Sequence, residues 1–185
     1  MTSLNSGRIR NGIADWIFEE EILSGSNELF FSPDSTKLGF LRFDDSNVKQ
    51  FNFTYWGLSP STGAYPSTTH LRYPKPGYAG PTVALLVFDR NTRSTITLEI
   101  DAPQFAHNYY VYQVLWFGDS TVLVRLMNRE QTVEDIVACD VTTGTCRLAT
   151  SNVAPMGWVE HSALVPVLER NAFLQVRLLH SSLTH

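Results

Sequence analysis

Charge of one sign, cysteine and long apolar runs are all scarce in this sequence of 185 residues, and each shortage excludes a class of protein. Fourteen basic against eighteen acidic side chains leave a net charge of −4, so there is no basic surplus for a phosphate backbone to select, and nucleic acid is not an expected partner. Charged residues are only 17% of the chain while hydrophobic ones are 43%, a balance too apolar for a disordered segment. The two cysteines, Cys139 and Cys146, are too few for a disulfide scaffold or for a four-ligand zinc site, and no metal or cofactor is expected. The longest clean apolar run, Val83 to Phe88, falls far short of the ~20 residues a bilayer span needs. Met1 to Arg10 is polar and lacks the apolar core of a signal peptide, so neither a signal nor a transmembrane segment is expected within the chain. A G-x-S-x-G nucleophile elbow is missing as well. The nearest string, Gly57-Leu58-Ser59-Pro60-Ser61, lacks the second glycine. The five histidines, His70, His107, His161, His180 and His185, have neither metal-ligand spacing nor a positioned serine and read as loop or surface residues.

What is abundant is aromatic side chain, 12% of the chain, which favours strands, where flat and branched groups pack on a pleated surface. No stretch of twelve or more residues holds a helical apolar period. Glu28 to Phe31, the turn Ser32-Pro33-Asp34-Ser35 and Lys37 to Phe43 predict an antiparallel pair. Further strands are expected at Gln50 to Tyr55, Thr69 to Tyr73, Val83 to Asp89, Ser94 to Ile100, Tyr110 to Phe117, Thr121 to Met127, Val133 to Asp140, Thr145 to Ala149, Gly157 to His161 and Ala172 to Leu178. Their spacing fits the meanders of a sandwich, barrel or propeller and excludes alternating strands and helices. No internal repeat is evident by inspection, and no linker separates domains. Propeller blades take roughly 40 to 50 residues, so the chain has room for about three to four of them.

The densest chemical signal is Asp15-Trp16-Ile17-Phe18-Glu19-Glu20-Glu21, four carboxylates interleaved with two aromatics. A purely structural account is available: Asp15 caps a short helix whose first turn welcomes acids at the positive end of its dipole. The functional account is that adjacent glutamates, anchored by Trp16 and Phe18, converge on a cation. Two carboxylates about 4 Å from one ammonium would each interact with it by about 4 kcal/mol at an effective dielectric near 20, before desolvation is subtracted. Cys139 and Cys146 bracket a short turn and face each other across a predicted hairpin, where a disulfide or two buried thiols would fit. Asn52-Phe53-Thr54 is a glycosylation sequon.

Asn11-Gly12-Ile13-Ala14-Asp15-Trp16-Ile17-Phe18-Glu19-Glu20-Glu21 resembles the N-G-x-x-D-W-x-Y-E-E-E segment of dipeptidyl peptidase IV-type serine exopeptidases of the prolyl oligopeptidase superfamily. Leu29-Phe30-Phe31-Ser32-Pro33-Asp34 with Leu38 to Phe43 is similar to a blade strand and its partner in that family, especially in fungal members. Leu71-Arg72-Tyr73-Pro74-Lys75-Pro76-Gly77 with Pro81-Thr82-Val83 is similar to its R-Y-P-K-x-G-x-x-N-P-x-V segment. The resemblance covers roughly residues 8 to 160. It implies an all-β, partial β-propeller of about three to four four-stranded antiparallel blades with a short acidic helical segment, residues 1–185 being propeller and the α/β-hydrolase domain with its Ser-Asp-His triad lying outside them. It also implies removal of N-terminal Xaa-Pro or Xaa-Ala dipeptides by the parent protein. Glu20 and Glu21 would hold the free α-amino group of the peptide, with Asp15, Trp16 and Glu19 in support. The chain alone would be inactive. Phe18 stands where tyrosine is usual, and Glu160-His161-Ser162 departs from the family pattern after Gly157-Trp158-Val159, so no leaving-group residue is assigned. The family has a blade disulfide near Cys139 and Cys146 with wider spacing, and its members often carry a membrane anchor and form homodimers. With the sequon and the cysteine pair, the resemblance leans toward an extracellular, membrane-anchored or vacuolar-lumen parent. The alternative implied by members that have lost the serine is a non-catalytic propeller that binds a protein partner.

Overall fold

Strand follows strand along most of the chain, joined by turns whose geometry is set by aspartate and glycine. The computed structural model describes residues 7–56, 65–105, 108–170 and 172–175. Gly57 to Ser61, His107, His180 and His185 lie outside them, as do the last three residues of the strand expected at Ala172 to Leu178. In chain order the strands are β1 (Ile9–Asn11), β2 (Leu29–Phe31), β3 (Lys37–Asp44), β4 (Gln50–Tyr55), β5 (Ser67–Arg72), β6 (Thr82–Asp89), β7 (Ser94–Thr97), β8 (Tyr109–Phe117), β9 (Thr121–Asn128), β10 (Val133–Asp140), β11 (Cys146–Val153), β12 (Leu164–Val167) and β13 (Ala172–Gln175). They form a five-stranded sheet of order β1-β3-β6-β7 with β2 also paired to β3, a four-stranded sheet of order β11-β10-β9-β8, and the two-stranded sheets β4-β5 and β12-β13. The fold is therefore all-β in antiparallel meanders of blade size, a partial β-propeller. With two blade-sized sheets and the pair β12-β13 as a third, the count sits at the low end of the expected three to four.

Two expectations need correction. Gly157 to His161 is not a strand: the segment is held by one backbone bond, Val159 N–H to the Gln131 carbonyl at 2.7 Å, and by stacking of the His161 ring on Tyr112. The strand in this region is β12, whose Pro166 is tolerated because a two-stranded sheet is all edge. Nor is the chain without repeats. The turn from β6 to β7 and the turn from β10 to β11 use the same device. The Asp89 carboxylate accepts from the Asn91 and Thr92 amides at 2.7 and 3.2 Å, and Asp140 from the Thr142 and Thr143 amides at 2.7 and 3.1 Å. A hydroxyl pair then closes each turn, Thr92 with Ser94 and Thr143 with Thr145, and the residue between them is left-handed, Arg93 at φ 56° and Gly144 at φ 80°. Amide bonds from Thr142 and Thr143 hold the Asp140 carboxyl below its usual range.

The chain divides into two units, Met1–Leu29 with Phe40–Leu85, and Phe30–Gly39 with Leu86–His185. In the first, Phe18, Leu41, Phe43, Val48 and Leu85 are buried. Alternation along β3 produces this: Leu41 and Phe43 point inward while Phe40 and Arg42 are partly exposed. In the second, Val111, Val122, Val124, Leu126 and Ile136 fill the core, and Leu123, Ile136 and Leu164 gather Leu115, Phe117, Ala138 and Phe173 around them. Cys139 and Cys146 pair directly in the β10-β11 register, and the structure joins them by a disulfide. Closing a loop this short adds about 2 to 3 kcal/mol in the chain-entropy picture. Replacing both cysteines by serine should lower the unfolding free energy by that amount, read as a lower urea midpoint, and an unchanged free energy would show that the hairpin is already closed without the bridge.

Candidate functional site

The acidic segment sits in a closed excursion of the chain. After β1, Gly12 takes φ 70° and turns the backbone; a Cβ there would stand 2.5 Å from Leu29 Cδ2, so both the dihedral and the space require glycine. Its N–H donates to the Leu41 carbonyl at 2.7 Å. Ile13 bridges Asn27, the Ala14 N–H donates to Ser26 O at 3.0 Å, and the Glu28 N–H donates to Gly12 O at 3.0 Å. Leu41 N–H completes the neck by donating to Glu28 O at 3.2 Å. Residues 14–26 thus leave β1 and return to β2 through one neck that is hydrogen-bonded to β3.

Within the excursion, Asp15 is buried and its carboxylate accepts from the Ile17 and Phe18 amides at 3.3 and 3.1 Å, the cap that the structural account expects. A helical turn from Trp16 continues as a π-helix over Phe18–Leu23 and stops at Ser24 in the left-handed region, φ 53°. Phe18 is the anchor, buried with its ring edge-on to Phe43 at 5.0 Å between centroids. Trp16 is 49% exposed and does not share that role. Glu19 is half-buried, and Glu20 and Glu21, two and three residues beyond the anchor, emerge into solvent. No cation among the described residues lies within ion-pair distance of either one.

Beneath the cap is a second acid that the sequence reading passed over. Asp45, buried just after β3, pairs with Arg10 of β1 at 2.7 Å. Burial pushes the Asp15 carboxyl up, the amide bond from Phe18 opposes this, and the charge of Asp45 pushes it further. Burial likewise raises Asp45, against the pull of Arg10. Of the other sequence-derived candidates, Asn52 is exposed on β4 with its Oδ1 accepting from His70 Nδ1 at 2.7 Å, and the exposed His70 and His161 are surface residues as expected.

A second charged cluster occupies the other unit. Arg125 on β9 and Glu134 on β10 form an ion pair, both almost fully buried. Arg125 Nε donates to Glu134 at 2.7 Å, and Nη1 donates to Gln113 Oε1 at 3.0 Å and to the Ser162 carbonyl. Glu134 also accepts from Tyr112, from Asn152 and, at 2.8 Å, from Gln175. A bulge between Val111 and Gln113 turns two consecutive side chains of β8, Tyr112 and Gln113, toward the same cluster. Burial pushes Glu134 up, but the hydrogen bonds and the arginine charge outweigh it and hold the carboxyl below its usual range. Burial and the bond to Glu134 drive the Tyr112 phenol well above its ordinary range. The charged atoms of Arg125 and Glu134 all have partners among the described residues, so the cluster fastens β12-β13 and Ser162 to the four-stranded sheet, with the buried Asn152 Oδ1 the one atom of its side chains left without a partner there.

Comparison with known proteins places this geometry. Residues 1–182 match the family model described as the dipeptidyl peptidase IV (DPP IV) N-terminal region. The inactive dipeptidyl peptidase 10 of Rattus norvegicus is 34% identical over 173 residues, 92% of this chain and 21% of that protein. A probable dipeptidyl-aminopeptidase B of Neosartorya fischeri is 33% identical over 162 residues, 82% of this chain and 18% of that protein. The crystal structure of Porphyromonas gingivalis dipeptidyl peptidase 4 superposes with a TM-score of 0.71 at 23% identity, over 86% of this chain and 22% of that one, a likeness of fold. The chain spans about a fifth of the length of the curated relatives it matches.

Proposed function

We propose, since this chain belongs to the dipeptidyl peptidase IV N-terminal region family, that it is the propeller part of a serine-type dipeptidyl peptidase and that Glu20 and Glu21 receive the α-ammonium of the peptide substrate. The observation that carries this reading is the pair itself: two adjacent, exposed carboxylates with no cation beside them among the described residues, on a helical turn fixed by Phe18, the Asp15 cap and the neck. A peptide α-amine, with pKa near 8, is mostly protonated at neutral pH and matches that charge. Binding the amino terminus at a set distance from a nucleophile measures out two residues, and an internal peptide bond would leave the acids unpaired. On this reading the exposure of the pair is that of half a site, whose facing wall and nucleophile come from sequence beyond residues 1–185. Release of Xaa-Pro or Xaa-Ala dipeptides, a lumenal or extracellular parent and a glycan on Asn52 belong to the same proposal. So does a homodimer, for which the β4-β5 ribbon offers Phe51, Phe53 and Tyr55, exposed on one face.

The similarity to an inactive peptidase supports a second reading, a non-catalytic propeller that binds a protein partner. Labelling of the full-length protein by a fluorophosphonate separates the two. A covalent adduct on one serine supports the peptidase, and an intact protein left unlabelled in its folded state supports the binding module.

A further inference from the structure

Glu28 is the one carboxylic acid built into the neck of the acidic excursion. Its N–H and its carbonyl supply two of the bonds that close the loop, to Gly12 and from Leu41. Its side chain is buried, 6% exposed, and no hydrogen bond or ion pair reaches its carboxyl from the described residues. The charged groups on β1 and β3 are Arg10, Lys37, Arg42 and Asp44, with Asp45 just after β3 and Asp15 inside the excursion. Arg10 is committed to Asp45, and Arg42 Nε donates to Asn11 Oδ1 at 2.7 Å, so neither arginine supplies Glu28 with a counter-charge.

We infer that Glu28 is a positioning residue for the acidic segment, and that gain or loss of one proton at this neck sets whether residues 14–26, and with them Glu20 and Glu21, are held in place. The neutral acid fits the buried neck, whereas the carboxylate requires more water than that burial leaves it, and the nearest structure it can loosen is the set of backbone bonds made by its own residue. Burial pushes the Glu28 carboxyl up from 4.5 to about 7. Its folded value is thus above its unfolded one, and the sign follows: closure is fully favoured below about 4.5 and weakens as pH rises toward and through about 7. The role assigned to Glu20 and Glu21 rests on the function proposed above; the titration of the neck does not.

The test follows the Glu28 carboxyl by carbon NMR in the full 185-residue chain and measures hydrogen exchange at the Ala14, Glu28 and Leu41 amides, in the natural protein and in Glu28→Gln. The expected result is titration near neutral pH, with neck protection, corrected for intrinsic exchange, falling roughly tenfold or more from about pH 5 to about pH 8 in the natural protein and staying level in Glu28→Gln. A carboxyl titrating in the ordinary glutamate range overturns the inference. So does neck protection independent of pH in the natural protein, or a Glu28→Gln neck that opens with pH as the natural one does. Should Glu28→Gln fail to fold, Glu28→Met takes its place, and the direct titration of the natural protein still decides. Failure of the ammonium reading would show instead as peptide turnover indifferent to Glu20 and Glu21, with the neck behaving as described.

Discussion

Arg125→Met should unfold at markedly lower urea than the natural chain, with a loss of about 3 to 5 kcal/mol, because it leaves the buried carboxylate of Glu134 with no cation. The guanidinium also lies over the Tyr112 ring at 4.9 Å and reaches Gln113 and Ser162, so its removal takes packing with it. Three neutral donors, from Tyr112, Asn152 and Gln175, stay on Glu134 and keep the loss from being larger. Glu134→Gln in the same background removes the orphaned charge and should recover part of the loss, so the two substitutions will be strongly non-additive. The pH dependence has a definite sign. Glu134 is held below its usual range, so the stability it contributes is present above the unfolded value and disappears as pH falls through the folded one. Acid should therefore shrink the gap between Arg125→Met and the natural chain. A gap that is equal at pH 4 and pH 7, or losses that simply add, would mean that the pair is incidental to folding.

On the peptidase reading proposed above, Glu20→Gln with Glu21→Gln should lower kcat/KM for a dipeptidyl amide with a free amino terminus by roughly a hundredfold or more in the full-length protein, through lost positioning of the substrate. Both side chains are exposed and neither belongs to the core or the neck, so folding should be untouched and urea midpoints equal. The contrast with an N-acetylated substrate makes the experiment specific. Acetylation removes the cation, so the natural enzyme should already turn that peptide over poorly and the double substitution should change little further. Unchanged turnover of the free-amine substrate would sink the ammonium reading while leaving the fold and the family intact.

How much of this was legible depended on whether the deciding physics was local. Val133 to Asp140 was expected as a strand with the bounds it has, and Val83 to Asp89 and Thr121 to Met127 to within one residue, because apolar and branched residues between aspartate, glycine and asparagine turns leave a chain few other options. The cap by Asp15 and the anchor at Phe18 were legible for the same reason, as was the facing pair of cysteines. The two charged networks were not. Their partners lie 9 to 41 residues apart in sequence, and only strand register brings them together. One signal was there to be used: Arg125 interrupts the apolar run Val122 to Met127, and Glu134 and Asp135 directly precede Ile136 and Val137, so neighbouring strands carry opposite charges among residues that must be buried. The twin turns escaped inspection because Asp89 and Asp140 need only backbone amides from the residues that follow, and those can be Asn and Thr in one turn and two threonines in the other.

The β4-β5 ribbon rises from the connection between β3 and β6, and its two feet touch: the Tyr73 N–H donates to the Lys49 carbonyl at 3.0 Å. Arg72 adds bonds to the Ser46 and Val48 carbonyls at the same base, and a chain that leaves and re-enters through one such base can lengthen, shorten or change composition beyond it without moving the register of any other strand. This chain thus has a module whose surface can be reshaped while the strands it springs from keep their register.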